Sequence, residues 1–109
     1  MNMNRTEVFQ AAAVSCGLSV RGGSFIKNYD IKSPKNKMGV EKILIELSWK
    51  GDTLKYRISY KNYLSNRGKL LKKGIEDFDK TKTDLDIQGA VYRYAASAKE
   101  MAEVYSRLG

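Results

Sequence analysis

Histidine is absent from this 109-residue chain, and cysteine and proline occur once each. The lack of histidine removes the usual general base near neutral pH and the commonest metal ligand. Ser-His-Asp triads, Cys-His pairs and Cys/His zinc sites are therefore excluded. No cofactor, metal site or catalytic residue is expected, although composition alone leaves a carboxylate-bound magnesium open. A lone Cys16 cannot form an internal disulfide, which fits a reducing, cytoplasmic compartment. No run approaches the roughly 18 consecutive apolar residues that would span a membrane. Residues 1–20 lack a basic region followed by an apolar run ending in small residues. Neither a membrane partner nor a cleaved secretory signal is expected.

What the chain does have is basic charge and enough apolar residues to fold. Hydrophobic residues make up 42%, which is too many for a disordered chain, and the length suits a single domain over 1–109. The net charge is +8, and its placement is uneven. Near the start Arg5 balances Glu7. After residue 80, Lys82, Arg93, Lys99 and Arg107 balance Asp84, Asp86, Glu100 and Glu103. The whole excess therefore lies within 21–80. A positive field concentrated in this way points to an anionic partner, with a purely solubilising role as the alternative.

The element pattern begins with a short helix over Thr6–Cys16, capped by Thr6 and stopped at Gly17, with Val8, Phe9, Ala12, Ala13 and Cys16 on one face. Arg21-Gly22-Gly23 reads as a flexible connection. Phe25, Tyr29 and Ile31 alternate with Ile26, Asn28 and Asp30, which predicts a strand in which Lys27 falls on the apolar side. A loop over Lys32–Gly39 follows. Val40–Lys50 and Thr53–Lys61 flank Gly51-Asp52, a two-residue type II′ hairpin signal. That turn pairs Trp49 with Leu54, Leu47 with Tyr56, Ile45 with Ile58 and Ile43 with Tyr60 on an apolar face. The other face pairs Ser48 with Lys55, Glu46 with Arg57, Leu44 with Ser59 and Lys42 with Lys61. A slip of one residue would scramble this separation.

Ser65-Asn66-Arg67-Gly68 reads as a turn. Leu71, Ile75 and Phe78 then recur at helical spacing, predicting a helix over Lys69–Asp79 that Gly74 weakens. Lys69, Lys72 and Lys73 would sit near its start, where the helix dipole disfavours cations. A long final helix over Leu85–Leu108 begins at a Thr83/Asp86 capping box. Its apolar stripe runs through Ile87, Val91, Tyr94, Ala95, Ala98, Met101, Ala102, Tyr105 and Leu108. The fold class expected is a two-layer α+β domain: a three-stranded antiparallel meander covered on one face by helices, in the order α-β-β-β-α-α.

Ala13–Ser19 resembles the centre of a helix-turn-helix, but Gly22-Gly23 would make a poor recognition helix, and a glycine-terminated helix fits better. Glu76, Asp77 and Asp79 beside Lys80 resemble acidic clusters of magnesium nucleases, yet a solvated helix end accounts for them. Tyr56, Tyr60, Tyr94 and Tyr105 fall on apolar faces, which leaves Tyr29, Tyr63 and Tyr92 as surface candidates. The predicted order, with lysines leading a late helix, resembles that of double-stranded-RNA-binding domains. The likeness is one of order and charge, without that family's helix-one or lysine-alanine sequence.

The reading that follows is a non-enzymatic module that contacts nucleic acid, mainly through phosphates. The candidate residues are Lys42, Lys55, Arg57, Lys61, Lys69, Lys72 and Lys73, with Glu46 expected to pair with Arg57. The alternative is a small inhibitor or accessory factor, of the kind phages and mobile elements encode, docking on an acidic or nucleoprotein partner. A histidine-free ribonuclease ranks last, because no spacing singles out a catalytic set.

Overall fold

The computed structural model describes residues 4–31, 39–62 and 68–107. The chain runs α1 (Arg5–Ser15), β1 (Ser19–Arg21), β2 (Ser24–Asp30), β3 (Val40–Lys50), β4 (Thr53–Asn62), β5 (Gly68–Asp77) and α2 (Asp84–Arg107). The five strands form one antiparallel meander in sequence order. Both helices pack on the same face of this sheet. The architecture is α+β and two-layered as expected, but with five strands where three were predicted.

The central hairpin has the predicted register at every pair from Lys42–Lys61 to Trp49–Leu54. Gly51 turns the chain with φ of +63° and Asp52 keeps a negative φ, as a type II′ turn requires. Ile43, Ile45, Leu47, Leu54 and Ile58 are fully buried, so the apolar face is the one under the helices.

Two strands depart from the sequence expectation. Arg21-Gly22-Gly23 is a tight hairpin turn, not a flexible connection. Gly22 and Gly23 both take positive φ, and Ser19–Arg21 folds back on Ser24–Ile26 as β1. The segment expected as a helix over Lys69–Asp79 is strand β5, so the final order is α-β-β-β-β-β-α. Its apolar residues do not share a face. Leu71 is an extra residue in a bulge, since Ile58 pairs with Lys72 and Ser59 with Leu70, and it packs towards the core. Ile75 points the opposite way and is 66% exposed. Phe78 enters the core only after the strand has ended. The resemblance in order to double-stranded-RNA-binding domains goes with that helix.

In α1 the cap is Asn4, not Thr6: its side-chain oxygen accepts the Glu7 backbone N–H at 2.8 Å. The helix stops as predicted at Gly17, whose N–H reaches the Val14 carbonyl while Leu18 N–H reaches that of Ala13. Strand β1, not a recognition helix, follows. Lys27 is reconciled with the apolar side of β2 by this helix end. Its ammonium donates to the Cys16 carbonyl at 3.2 Å and lies 4.8 Å from the centre of the Tyr29 ring. Arg5 fastens the other end of α1 to the sheet. Its Nη1 donates to the Phe78 carbonyl and sits 3.3 Å from Asp52, and its Nη2 donates to the Asp79 and Lys82 carbonyls at 2.7 Å each.

Helix α2 lays Ile87, Ala90, Val91, Ala95, Ala98 and Ala102 into the core. Four of these are alanines, which let a long helix lie close to both the sheet and α1. Its start is a reciprocal box. Thr83 N–H donates to the Asp86 carboxylate at 2.7 Å, and Asp86 N–H donates to Thr83 Oγ1 at 3.3 Å. The bonds from Thr83 hold the Asp86 carboxyl below its ordinary value of 3.8. A lowered folded-state pKa stabilises the fold above the unfolded value, and that contribution is lost as pH falls through the folded one. Denaturation midpoints measured from neutral pH down through 3.8 should therefore fall more steeply for wild type than for Asp86→Asn. Parallel curves would show that the box contributes nothing. Among the described residues no helix is long and apolar enough to cross a membrane.

Candidate functional site

With both helices on one face, the other face of the sheet is left open among the described residues. Strand alternation decides which side chains it carries. From β2 come Ser24, Ile26 and Asn28, from β3 Lys42, Leu44, Glu46 and Ser48, and from β4 Lys55, Arg57, Ser59 and Lys61. Strand β5 adds Gly68, Leu70, Lys73 and Ile75. Arg21 joins them from β1. Cations dominate, with Glu46 as the acid in the middle of the face and Asp30 and Asp77 at its margins.

Register aligns these residues in rows across the strands. One row runs Ile26–Glu46–Arg57–Lys73 and another Asp30–Lys42–Lys61–Gly68. Between them lies Asn28–Leu44–Ser59–Leu70, which carries no charge. Two depressions lie on this face. One of about 560 Å3 is lined by Glu46, Ser48, Lys55, Arg57, Lys73 and Ile75, among others. The second, of about 320 Å3, has Arg21, Asn28, Lys42, Ser59 and Lys61 in its lining.

Of the seven residues nominated from sequence, Lys42, Lys55, Arg57, Lys61 and Lys73 share this face. Lys69 and Lys72 do not. They pair with Tyr60 and Ile58, whose side chains point to the helices, and the Lys72 ammonium lies 6.0 Å from the centre of the Tyr56 ring. On a helix the three late lysines would have clustered, whereas a strand sends Lys72 and Lys73 to opposite sides. Glu46 stands directly across from Arg57 as expected, but no ion pair joins them. Among the described residues the ion pairs are Arg5–Asp52 and Arg93–Glu76, and the Glu46 carboxylate accepts from Ser24 Oγ at 3.3 Å instead.

Arg21, Asn28 and Ser59 were not singled out from sequence. The signal available for Arg21 was the Gly22-Gly23 hairpin turn, which places it on an edge strand facing the same way as Ile26.

The described tyrosines offer no stacking platform here. Tyr56 stacks on Tyr94 with ring centres 4.0 Å apart, Tyr60 lies 6.0 Å from Tyr105, and Tyr29 packs against the core. Tyr92 is exposed on α2, its hydroxyl 3.2 Å from Ser15 Oγ, and Tyr63 lies outside the described residues. Burial pushes the Tyr29 and Tyr105 hydroxyls up, and burial with the Glu76 carboxylate pushes Tyr94 up. The acidic trio is dispersed. Glu76 accepts from Tyr94, Asp77 accepts from Thr53, and Asp79 accepts from Thr81, which draws its carboxyl down. Among the described residues no acidic or cysteine cluster is arranged to hold a metal. Comparison of the chain with protein-family models, with curated proteins and with solved structures finds no match.

Proposed function

We propose that the chain is a non-catalytic, cytoplasmic binding module whose open sheet face contacts nucleic acid through its phosphates. The observation behind this is the convergence of Lys42, Lys55, Arg57, Lys61 and Lys73 on a face that neither helix covers. Lysine and arginine neutralise phosphates and release condensed counterions, so affinity falls steeply with salt and reads little sequence.

Two charge-equivalent variants test the face. Lys55→Glu with Lys61→Glu changes the open face, and Lys69→Glu with Lys72→Glu changes the opposite side by the same amount. In fluorescence anisotropy with labelled oligonucleotides, the first pair should weaken binding at least tenfold. It should also flatten the dependence of log affinity on log salt by about two, roughly one for each phosphate no longer neutralised. The second pair should leave that slope close to wild type. Equal effects from both would reduce the charge to a general field, and no binding even at about 50 mM salt would overturn the reading.

A second reading, an inhibitor or accessory factor docking on an acidic protein surface, is favoured by Leu70 and Ile75, which are exposed among the cations of the same face. Nuclease treatment separates the two, since a protein complex survives it.

A further inference from the structure

Resting on that reading of the open face, we infer that its ligand is a double helix, gripped by both phosphate ribbons across one groove. The argument is the spacing of the charge. The cations form two groups: Lys55, Arg57 and Lys73 around the larger depression, and Arg21, Lys42 and Lys61 around the smaller. Within each group the register sets cations side by side on neighbouring strands, Arg57 opposite Lys73 and Lys42 opposite Lys61. The uncharged row Asn28–Leu44–Ser59–Leu70 separates the Arg57–Lys73 pair from the Lys42–Lys61 pair, and Glu46 stands opposite Arg57 in the first of these rows. Arg21, whose partner is Ser24, lines the smaller depression from the far side of the uncharged row.

Arg57 and Lys61 are four residues apart on β4, about 13 Å along a strand. That is the scale of a double-helix groove, roughly 6 Å and 12 Å wide for the two grooves of B-form DNA. A duplex presents two lines of phosphate with a groove between them, and the Arg57–Lys73 and Lys42–Lys61 pairs match the lines. The uncharged row lies beneath the groove.

A single strand would be served differently. Its phosphates follow one line, so an unbroken basic track suits it, and its splayed bases need aromatic faces to stack on. The track here is interrupted at Ser59. Every described tyrosine of the sheet is turned towards the helices. Both features remove what a single-strand binder relies on, whereas neither is needed to hold a duplex by its phosphates.

The test compares a short labelled duplex with each of its constituent strands by anisotropy across a salt series, using DNA and RNA versions to distinguish B-form from A-form geometry. The duplex in at least one form should bind tenfold or more tighter than either strand. Arg21→Glu/Lys42→Glu/Lys61→Glu and Lys55→Glu/Arg57→Glu/Lys73→Glu should each flatten the duplex salt slope by about three. Circular dichroism melts establish that each variant is folded. Should a triple variant not fold, Lys42→Gln/Lys61→Gln and Lys55→Gln/Lys73→Gln replace it, with an expected flattening of about two. Strands that bind as tightly as the duplex, or one group whose replacement leaves the duplex slope unchanged, would overturn the two-ribbon grip and leave the broader nucleic-acid reading standing. Binding by neither duplex nor strands would remove both.

Discussion

Ile45→Ala and Leu47→Ala should each destabilise the fold by roughly 2–5 kcal/mol, the range found for large-to-small changes in closed cores. Both side chains are fully buried on β3, beneath the helices. Phe25 and Tyr56 flank Leu47 across the sheet, and Lys27 and Ile58 flank Ile45. A cavity there is walled by two layers of regular structure that cannot collapse into it. Domains of this size have only about 5–15 kcal/mol of net stability, so either change removes a large share. Thermal melts should fall by at least about 10 °C. Lys55→Ala is the face control. It sits on the open side of the same hairpin and should change stability by no more than about 0.5 kcal/mol. If Ile45→Ala melts with wild type, or if Lys55→Ala costs as much as the core changes, the assignment of the two faces is wrong.

That face assignment was legible because two independent signals agreed. Gly51-Asp52 set the register, and the alternating apolar set from Ile43 to Trp49 matched its partners only in that register. The final helix was legible for a similar reason, with a capping box at Thr83 and a long stripe behind it. Strand β5 was not. Its bulge at Leu71 breaks the period of two, and Gly74 leaves a blank where an inward apolar side chain would have shown alternation. What remained, Leu71, Ile75 and Phe78, happens to be spaced like a helix. The placement of three lysines at a supposed helix N-terminus, unfavourable to the dipole, was the contrary signal. It marked a wrong element. The error carried directly into the site. Reading β5 as a helix grouped Lys69 and Lys72 with Lys73, while the hairpin-borne members, Lys42, Lys55, Arg57 and Lys61, came out on one face because their register was secure. Strand β1 was hidden by its brevity: three residues carry no periodicity, and Gly-Gly served as the only hint that the chain doubled back.

Gly74→Ala is expected to reverse the ordinary sign of a glycine replacement in a strand. Elsewhere, an added Cβ that the backbone accepts without strain stabilises by about 0.4–1 kcal/mol, because the unfolded chain loses freedom. At Gly74 the Cβ would lie 2.6 Å from Cε1 of Tyr56 and 2.8 Å from its Cζ and hydroxyl oxygen. The Tyr56 ring covers the glycine from the neighbouring strand, an arrangement in which an aromatic supplies the contact that glycine lacks. The ring cannot swing away freely. It is stacked on Tyr94 at 4.0 Å and 18°. Tyr94 is itself held by its hydroxyl on Glu76, which also pairs with Arg93 at 3.5 Å. Moving Tyr56 therefore disturbs α2 as well as β5, and overpacking of this kind costs about 1–3 kcal/mol. The check is a double-mutant cycle by chemical denaturation. In a Tyr56→Ala background the clash is gone, and Gly74→Ala should become neutral or stabilising, giving a coupling of about 2 kcal/mol between the two positions. Additivity within about 0.5 kcal/mol would mean that the ring yields without cost, and that Gly74 is not held by Tyr56.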